Sequence, residues 1–143
     1  MEIGKIIEGF KGLKVLVVGD FFLDKYYIYD PRIGEPSLET GIIPIVVTEY
    51  EPSPGAAGNV AKNVAMLGAR VTTLGVIGDD EEGKTLLRCL EKLGVDTSHM
   101  IVSPYRATRF YSKFFNVETM KDCLLYTSPS PRDLSTSRMP SSA

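Results

Sequence analysis

The sequence predicts an α/β protein built on a parallel sheet, with a small second sheet appended to it. Three observations carry this. Short apolar runs at 15–18 and 71–77 alternate with stretches of helical period. Glycines stand where those helices should stop, at Gly12, Gly68 and Gly94. Aromatic or β-branched segments between 22 and 48 and at 107–115 fall outside the alternation, so they need a sheet of their own.

The elements follow in order. Ile3, Ile6, Ile7 and Phe10 have helical spacing. Residues 14–18 form an apolar run without polar alternation, which reads as a parallel strand buried on both faces and ends at Gly19-Asp20. Residues 26–29 and 42–47 read as strands flanking a loop, and Pro44 makes the second an edge strand or marks its boundary. Val60, Val64 and Leu67, with Ala61 and Ala65, form one apolar helical face. After the strand at 71–77, Gly78-Asp79-Asp80 offers an N-cap to a helix carrying Leu86, Leu87, Leu90 and Leu93. Residues 107–115 form the last strand.

Composition narrows the function classes. The 143 residues are 43% hydrophobic and 24% charged, with net charge −2. No apolar run is long enough to span a membrane. The N-terminus lacks the apolar core of a signal peptide, which predicts a cytoplasmic protein. The near-neutral charge gives no footprint for nucleic acid. Cys89 and Cys123 are too few for a disulfide scaffold and lack metal-ligand spacing, and His99 stands alone, so no metal site is expected.

The last 21 residues, 123–143, hold six serines against five in the preceding 122, and no glycine. Such a segment reads as a disordered tail. The string CLLYTSPSPRD, followed after three residues by SRMPSSA, also resembles translated read-through of a sequencing adapter. The expectation is therefore a native segment 1–122, truncated near Asp122, and a non-native tail.

Three segments could carry chemistry. Residues 78–85 satisfy GxxxxGK[ST] between a strand and a helix, the pattern of a phosphate-binding loop. Their four intervening residues are all acidic, which repels a polyphosphate; a helix cap with Glu81-Glu82 at its positive end accounts for them better. The small residues of Pro54-Gly55-Ala56-Ala57-Gly58-Asn59 precede a helix and serve either packing or close ligand approach to the backbone, with the Asn59 amide available for hydroxyls. Gly19-Asp20-Phe21-Phe22-Leu23-Asp24 lies beyond the carboxyl end of a strand, where open α/β sheets bind ligands; Asp24 is either a hydroxyl acceptor or a surface residue, and Asp20 a turn residue.

Four blocks, KVLVVGDFFLDKY, PGAAGNVAKNVAMLGARV, TTLGVIGDDEEG and GVDTSHMIVSPYRATRFYSK, together resemble the N-terminal part of the ribokinase-like (PfkB-type) carbohydrate kinases, and among them the heptose 7-phosphate kinase branch. The resemblance spans most of residues 14–113. It implies the N-terminal portion of a Rossmann-like ribokinase fold with a small β-sheet lid, at about 22–48 and 107–115, that closes over the sugar and mediates homodimers. It assigns substrate contacts to Asp24, Gly55 and Asn59, and a weaker one, to the substrate or its phosphate, to Lys113. It implies transfer of the ATP γ-phosphoryl group to a sugar or sugar-phosphate hydroxyl, with Mg²⁺ and an aspartate base in a GAGD-type motif. No GAGD string occurs in the chain, so no catalytic residue is assigned and the polypeptide is expected to be inactive. One departure stands out: the family has Gly-Gly where this chain has Gly55-Ala56. The competing expectations are a P-loop NTPase using residues 78–85 and a non-catalytic binding module.

Overall fold

A computed structural model describes residues 3–119 and, as backbone, 122–127. The elements in chain order are α1 (Ile3–Phe10), β1 (Lys14–Val18), β2 (Phe21–Tyr29), β3 (Val47–Ala56), α2 (Ala57–Met66), β4 (Arg70–Leu74), β5 (Val76–Gly78), α3 (Glu81–Lys92), β6 (Ile101–Ser103), β7 (Arg109–Asn116) and β8 (Asp122–Thr127). Two parallel pairs form the body: β1 with β4, from Lys14 opposite Arg70 to Val18 opposite Leu74, and β5 with β6. The lid is a four-stranded sheet in the order β3-β2-β7-β8, in which β2 and β7 run parallel and both outer pairs antiparallel.

The core lies where α2 and α3 meet the body and the base of the lid. It contains Val17, Phe21, Leu23, Ala61, Val71, Ile77, Leu86, Leu90 and Val95. Helix ends behave as the sequence predicts: Gly68 and Gly94 take positive φ, at 94° and 73°. The strand expected over 71–77 is broken at Gly75, a position where any side chain would press into the Phe21 ring, 2.5 Å from its nearest atom.

Several expectations need correction. β1 is not buried on both faces. Val17 is buried and Val15 partly so, but Leu16 and Val18 are 56% and 64% exposed, because α2 packs on the other face of the strand. α1 buries none of its residues. On α2 the buried positions are the small ones, Gly58 and Ala61, while Val60 and Leu67 are exposed; only small residues let the helix sit this close to the lid base. The strand expected at 42–47 begins at Val47 and runs to Ala56, so the lid extends past residue 48. Pro52 and Pro54 lie within it and are tolerated because β3 is an edge strand, paired with β2 alone. β6 was not anticipated. The tail expected to be disordered from residue 123 begins instead with β8, whose β-prone Leu-Leu-Tyr-Thr run pairs with the open edge of β7. Residues 128–143 lie outside the described residues.

Candidate functional site

The site lies on one face of the lid. Successive residues of a strand alternate between faces, so Phe22, Asp24 and Tyr26 of β2 share a face. The register sets them beside Arg109, Tyr111 and Lys113 of β7, and beside Gly55, Ser53 and Glu51 of β3. Contacts confirm it: Phe22 packs on Tyr111 and Tyr26 on Phe115, at ring separations of 5.5 and 5.8 Å. The opposite face holds the buried Phe21 and Leu23 and packs on α3, where Lys25 Nζ lies 2.6 Å from Glu82 Oε1.

Asp24 is the centre of the site. Its Oδ2 accepts from Lys113 Nζ at 3.2 Å and from the Tyr26 hydroxyl at 3.5 Å. Lys113 also donates to the Tyr26 oxygen at 3.1 Å and sits 4.7 Å from that ring's centroid. Burial alone would lower the Lys113 pKa, but the Tyr26 and Asp24 hydrogen bonds and the Asp24 charge outweigh it, so the net shift is upward and the ammonium persists at neutral pH. The carboxylate is 19% exposed, leaving lone pairs for hydroxyl donors.

Gly55 is brought to this carboxylate. A Cβ at position 55 would lie 2.7 Å from Asp24 Oδ1 and 2.9 Å from its Cγ. The bare backbone therefore first admits Asp24 itself, which refines its expected role of admitting a sugar. Ala56, next along, has φ 50° and ψ −121°, a region that suits glycine. It is the N-cap of α2 and offers no side-chain cap, and the Ala57 N–H instead donates to Asp20 O at 3.0 Å. Asn59 lies exposed on the first turn of α2. Lys113 is not on the last lid strand as expected, since β8 follows it. Asp24, Gly55 and Lys113 are thus gathered on one sheet face, with Asn59 on the helix that leaves its edge.

The sequence reading missed Tyr26, Arg106 and Arg109 as site residues. Asp20 Oδ1 is 3.4 Å from Arg106 Nη2, and its Oδ2 is 3.7 Å from Arg109 Nη1. The signal was present: Arg109 precedes Lys113 by two strand periods, so whatever face Lys113 takes, Arg109 shares.

The loop at 78–85 is occupied by its own chain. Asp80 caps α3 by accepting from the Gly83 N–H at 2.8 Å, and its other oxygen accepts from Thr108 N–H at 2.7 Å. Gly78 N–H donates to Thr108 Oγ1 at 2.8 Å, and Lys84 pairs with Glu81 on the surface. Burial raises the Asp80 pKa, but the Thr108 and Gly83 hydrogen bonds and the Lys25 charge outweigh it, so the carboxyl titrates below its ordinary range. Among the described residues no group of three or more metal-ligating side chains clusters, and no helix is long and apolar enough to cross a membrane.

The sequence pattern of the pfkB family of carbohydrate kinases matches residues 25–138. The bifunctional protein HldE of Shewanella denitrificans is 36% identical over 97 residues, which are 68% of this chain and 20% of that protein. The chain thus spans about a fifth of the length of that curated relative. A carbohydrate kinase from Agrobacterium tumefaciens superposes with a TM-score of 0.60 at 20% identity, over 81% of this chain and 35% of that one. A ribokinase from Cryptococcus neoformans in complex with ADP gives 0.54 at 24% identity, over 82% and 34%. These structures establish a ribokinase-like fold, and with the match over 25–138 the chain belongs to the pfkB family of carbohydrate kinases.

Proposed function

We propose that this chain is the sugar-binding N-terminal part of an ATP-dependent carbohydrate kinase whose acceptor is a heptose 7-phosphate. The observation that carries the reading is the Asp24 carboxylate, held by Lys113 and Tyr26 against the bare backbone of Gly55. An ionised carboxylate with free lone pairs accepts hydrogen bonds from two neighbouring hydroxyls, and charge-assisted bonds of this kind are the stronger ones. The Asn59 amide, exposed on the first turn of α2, both donates and accepts, which suits a further hydroxyl. Tyr111, beside Asp24 on the same face, supplies apolar surface for the C–H face of a sugar ring. The heptose assignment rests on the order of the four motif blocks and on relatives that carry the name HldE.

In this reading ATP, with Mg²⁺, supplies the transferred phosphoryl group. The described residues do not fit its triphosphate: the one stretch with a phosphate-loop pattern is filled by the Asp80 carboxylate. The nucleotide and its metal are therefore assigned to none of the described residues. With no GAGD motif among the 143 residues, the polypeptide binds sugar without phosphorylating it. Its own residues hold and orient the acceptor, which in phosphoryl transfer is a large share of the work.

The test is calorimetric titration of the purified chain with a heptose 7-phosphate. Saturable binding that Asp24→Asn weakens at least about tenfold is expected. Binding unchanged in the Asp24→Asn variant, or ATP-dependent phosphorylation by the chain alone, would overturn the corresponding part.

A further inference from the structure

We infer that Arg109, assisted by Arg106, reads the phosphate of a phosphorylated sugar acceptor and thereby sets which end of the sugar faces which strand. The inference rests on the sugar-site reading above and deepens it. Charge on the lid face is graded across the strands. Edge strand β3 carries Glu49 and Glu51 on this face, β2 carries Asp24, and β7 carries Arg109 and Lys113. An acceptor with hydroxyls at one end and a dianion at the other has one favourable orientation over such a gradient, with the anion toward β7.

The two β7 cations are differently committed. Lys113 donates to both Asp24 and Tyr26, at 3.2 and 3.1 Å, and is occupied in fixing that carboxylate. Arg109 faces Asp20 at 3.7 Å, beyond hydrogen-bond distance, and lies over the Phe22 ring with its central carbon 5.5 Å from the ring centroid. The Arg109 side chain is 14% exposed, and a guanidinium resting on a ring directs its N–H fork along the ring plane, a geometry that matches two oxygens of a phosphate. Arg106 meets the same carboxylate at 3.4 Å through one nitrogen. Two guanidiniums thus share one carboxylate, neither in a bidentate pair. A phosphate between them replaces the Asp20 contacts of 3.4 and 3.7 Å with shorter charge-assisted bonds. About 13 Å of strand separates Arg109 from Lys113, so a sugar lying over Asp24 with its phosphate at Arg109 stays on this face.

Two probes separate this inference from its foundation: a heptose 7-phosphate and the same heptose without phosphate, titrated into the intact 143-residue chain. The expected result is a preference of at least about tenfold for the phosphorylated probe. Arg109→Gln should reduce that preference to about threefold or less, weakening the phosphorylated probe more than the unphosphorylated one; Arg109→Lys and Arg106→Gln should each remove part of it. Where Arg109→Gln does not fold, as judged by its circular dichroism melt, the latter two variants decide. Equal binding of both probes by the wild-type chain overturns the inference and leaves the sugar site standing. So does a preference that survives the Arg109 and Arg106 variants, or an Arg109→Gln loss that is the same for both probes. Failure of the wild-type chain to bind either probe overturns the sugar-site reading, and this inference with it.

Discussion

Ala56 and Gly55, neighbours on the last turn of β3, illustrate opposite demands on a side chain. Ala56 holds φ at 50° with a methyl group that glycine would not carry. Backbone of this kind costs about 1–3 kcal/mol, so Ala56→Gly should raise stability by about 1 kcal/mol despite the looser unfolded chain, seen as a higher melting temperature. Gly55→Ala should do the reverse. Its methyl would fall 2.7 Å from Asp24 Oδ1, so the carboxylate must leave Lys113 and Tyr26, and sugar affinity should fall at least about tenfold with a loss of about 1–3 kcal/mol in stability. The sequence marked both positions as special because the pair departs from Gly-Gly. What it could not show is that the space at Gly55 belongs to a side chain 31 residues earlier, since that contact exists only once β2 and β3 are in register.

Elements were legible where one local signal decided them, and displaced where pairing decided. α3 is the clear case: Asp80 at the N-cap, acidic Glu81 and Glu82 in the first turn and Lys92 in the last agree with its dipole. Because the folded-state pKa of Asp80 lies below its ordinary value of 3.8, this carboxylate stabilises the fold above that value and the contribution disappears as pH falls through the lowered pKa. Asp80→Asn should therefore flatten the acid limb of the melting-temperature profile below about pH 4, and Asp80→Ala should cost about 1–2 kcal/mol at neutral pH. β3 is the opposite case. Its two prolines and a glycine argue against a strand, and only its position at the sheet edge makes them acceptable. The lid is fixed to α3 by the Lys25–Glu82 pair, whose side chains are 12% and 28% exposed, with Lys25 also 4.0 Å above the Phe110 ring. Lys25→Met should weaken lid anchoring by about 1–3 kcal/mol, detectable as faster amide exchange in β2.

At the scale of the whole molecule, the α/β class and the separate lid were readable from alternation, yet the burial of the body was not. An apolar run such as 14–18 cannot say whether both of its faces are covered, and here Leu16 and Val18 face outward together with Ile3, Ile6 and Ile7 of α1. Exposed apolar area of this extent favours self-association. Leu16→Thr with Val18→Thr should lower association measured by sedimentation velocity, while changing stability by no more than about 0.5 kcal/mol per site. The lid adds its own candidate contact surface: Tyr27 stacks on Phe114 at 4.9 Å and packs on Tyr50 at 5.1 Å, and Tyr50 is 45% exposed. A homodimer through the lid, as the family resemblance implies, predicts that Tyr50→Glu shifts the chain toward monomer in the same experiment.

The bond from Lys113 to Asp24 joins residues 89 positions apart, and the central parallel ladder of the lid spans a similar distance. On a ribosome, β2 has left the exit tunnel long before its partner β7 exists. At elongation rates of about 5–20 residues per second, that gap is roughly 4–18 s. Throughout it the nascent polypeptide displays one unpaired strand border, rich in tyrosine and phenylalanine, to whatever else the cell offers for pairing. The contact from Lys113 that holds Asp24 is thus completed only after β7 emerges, and a chaperone that shields this border during synthesis should raise the yield of native protein.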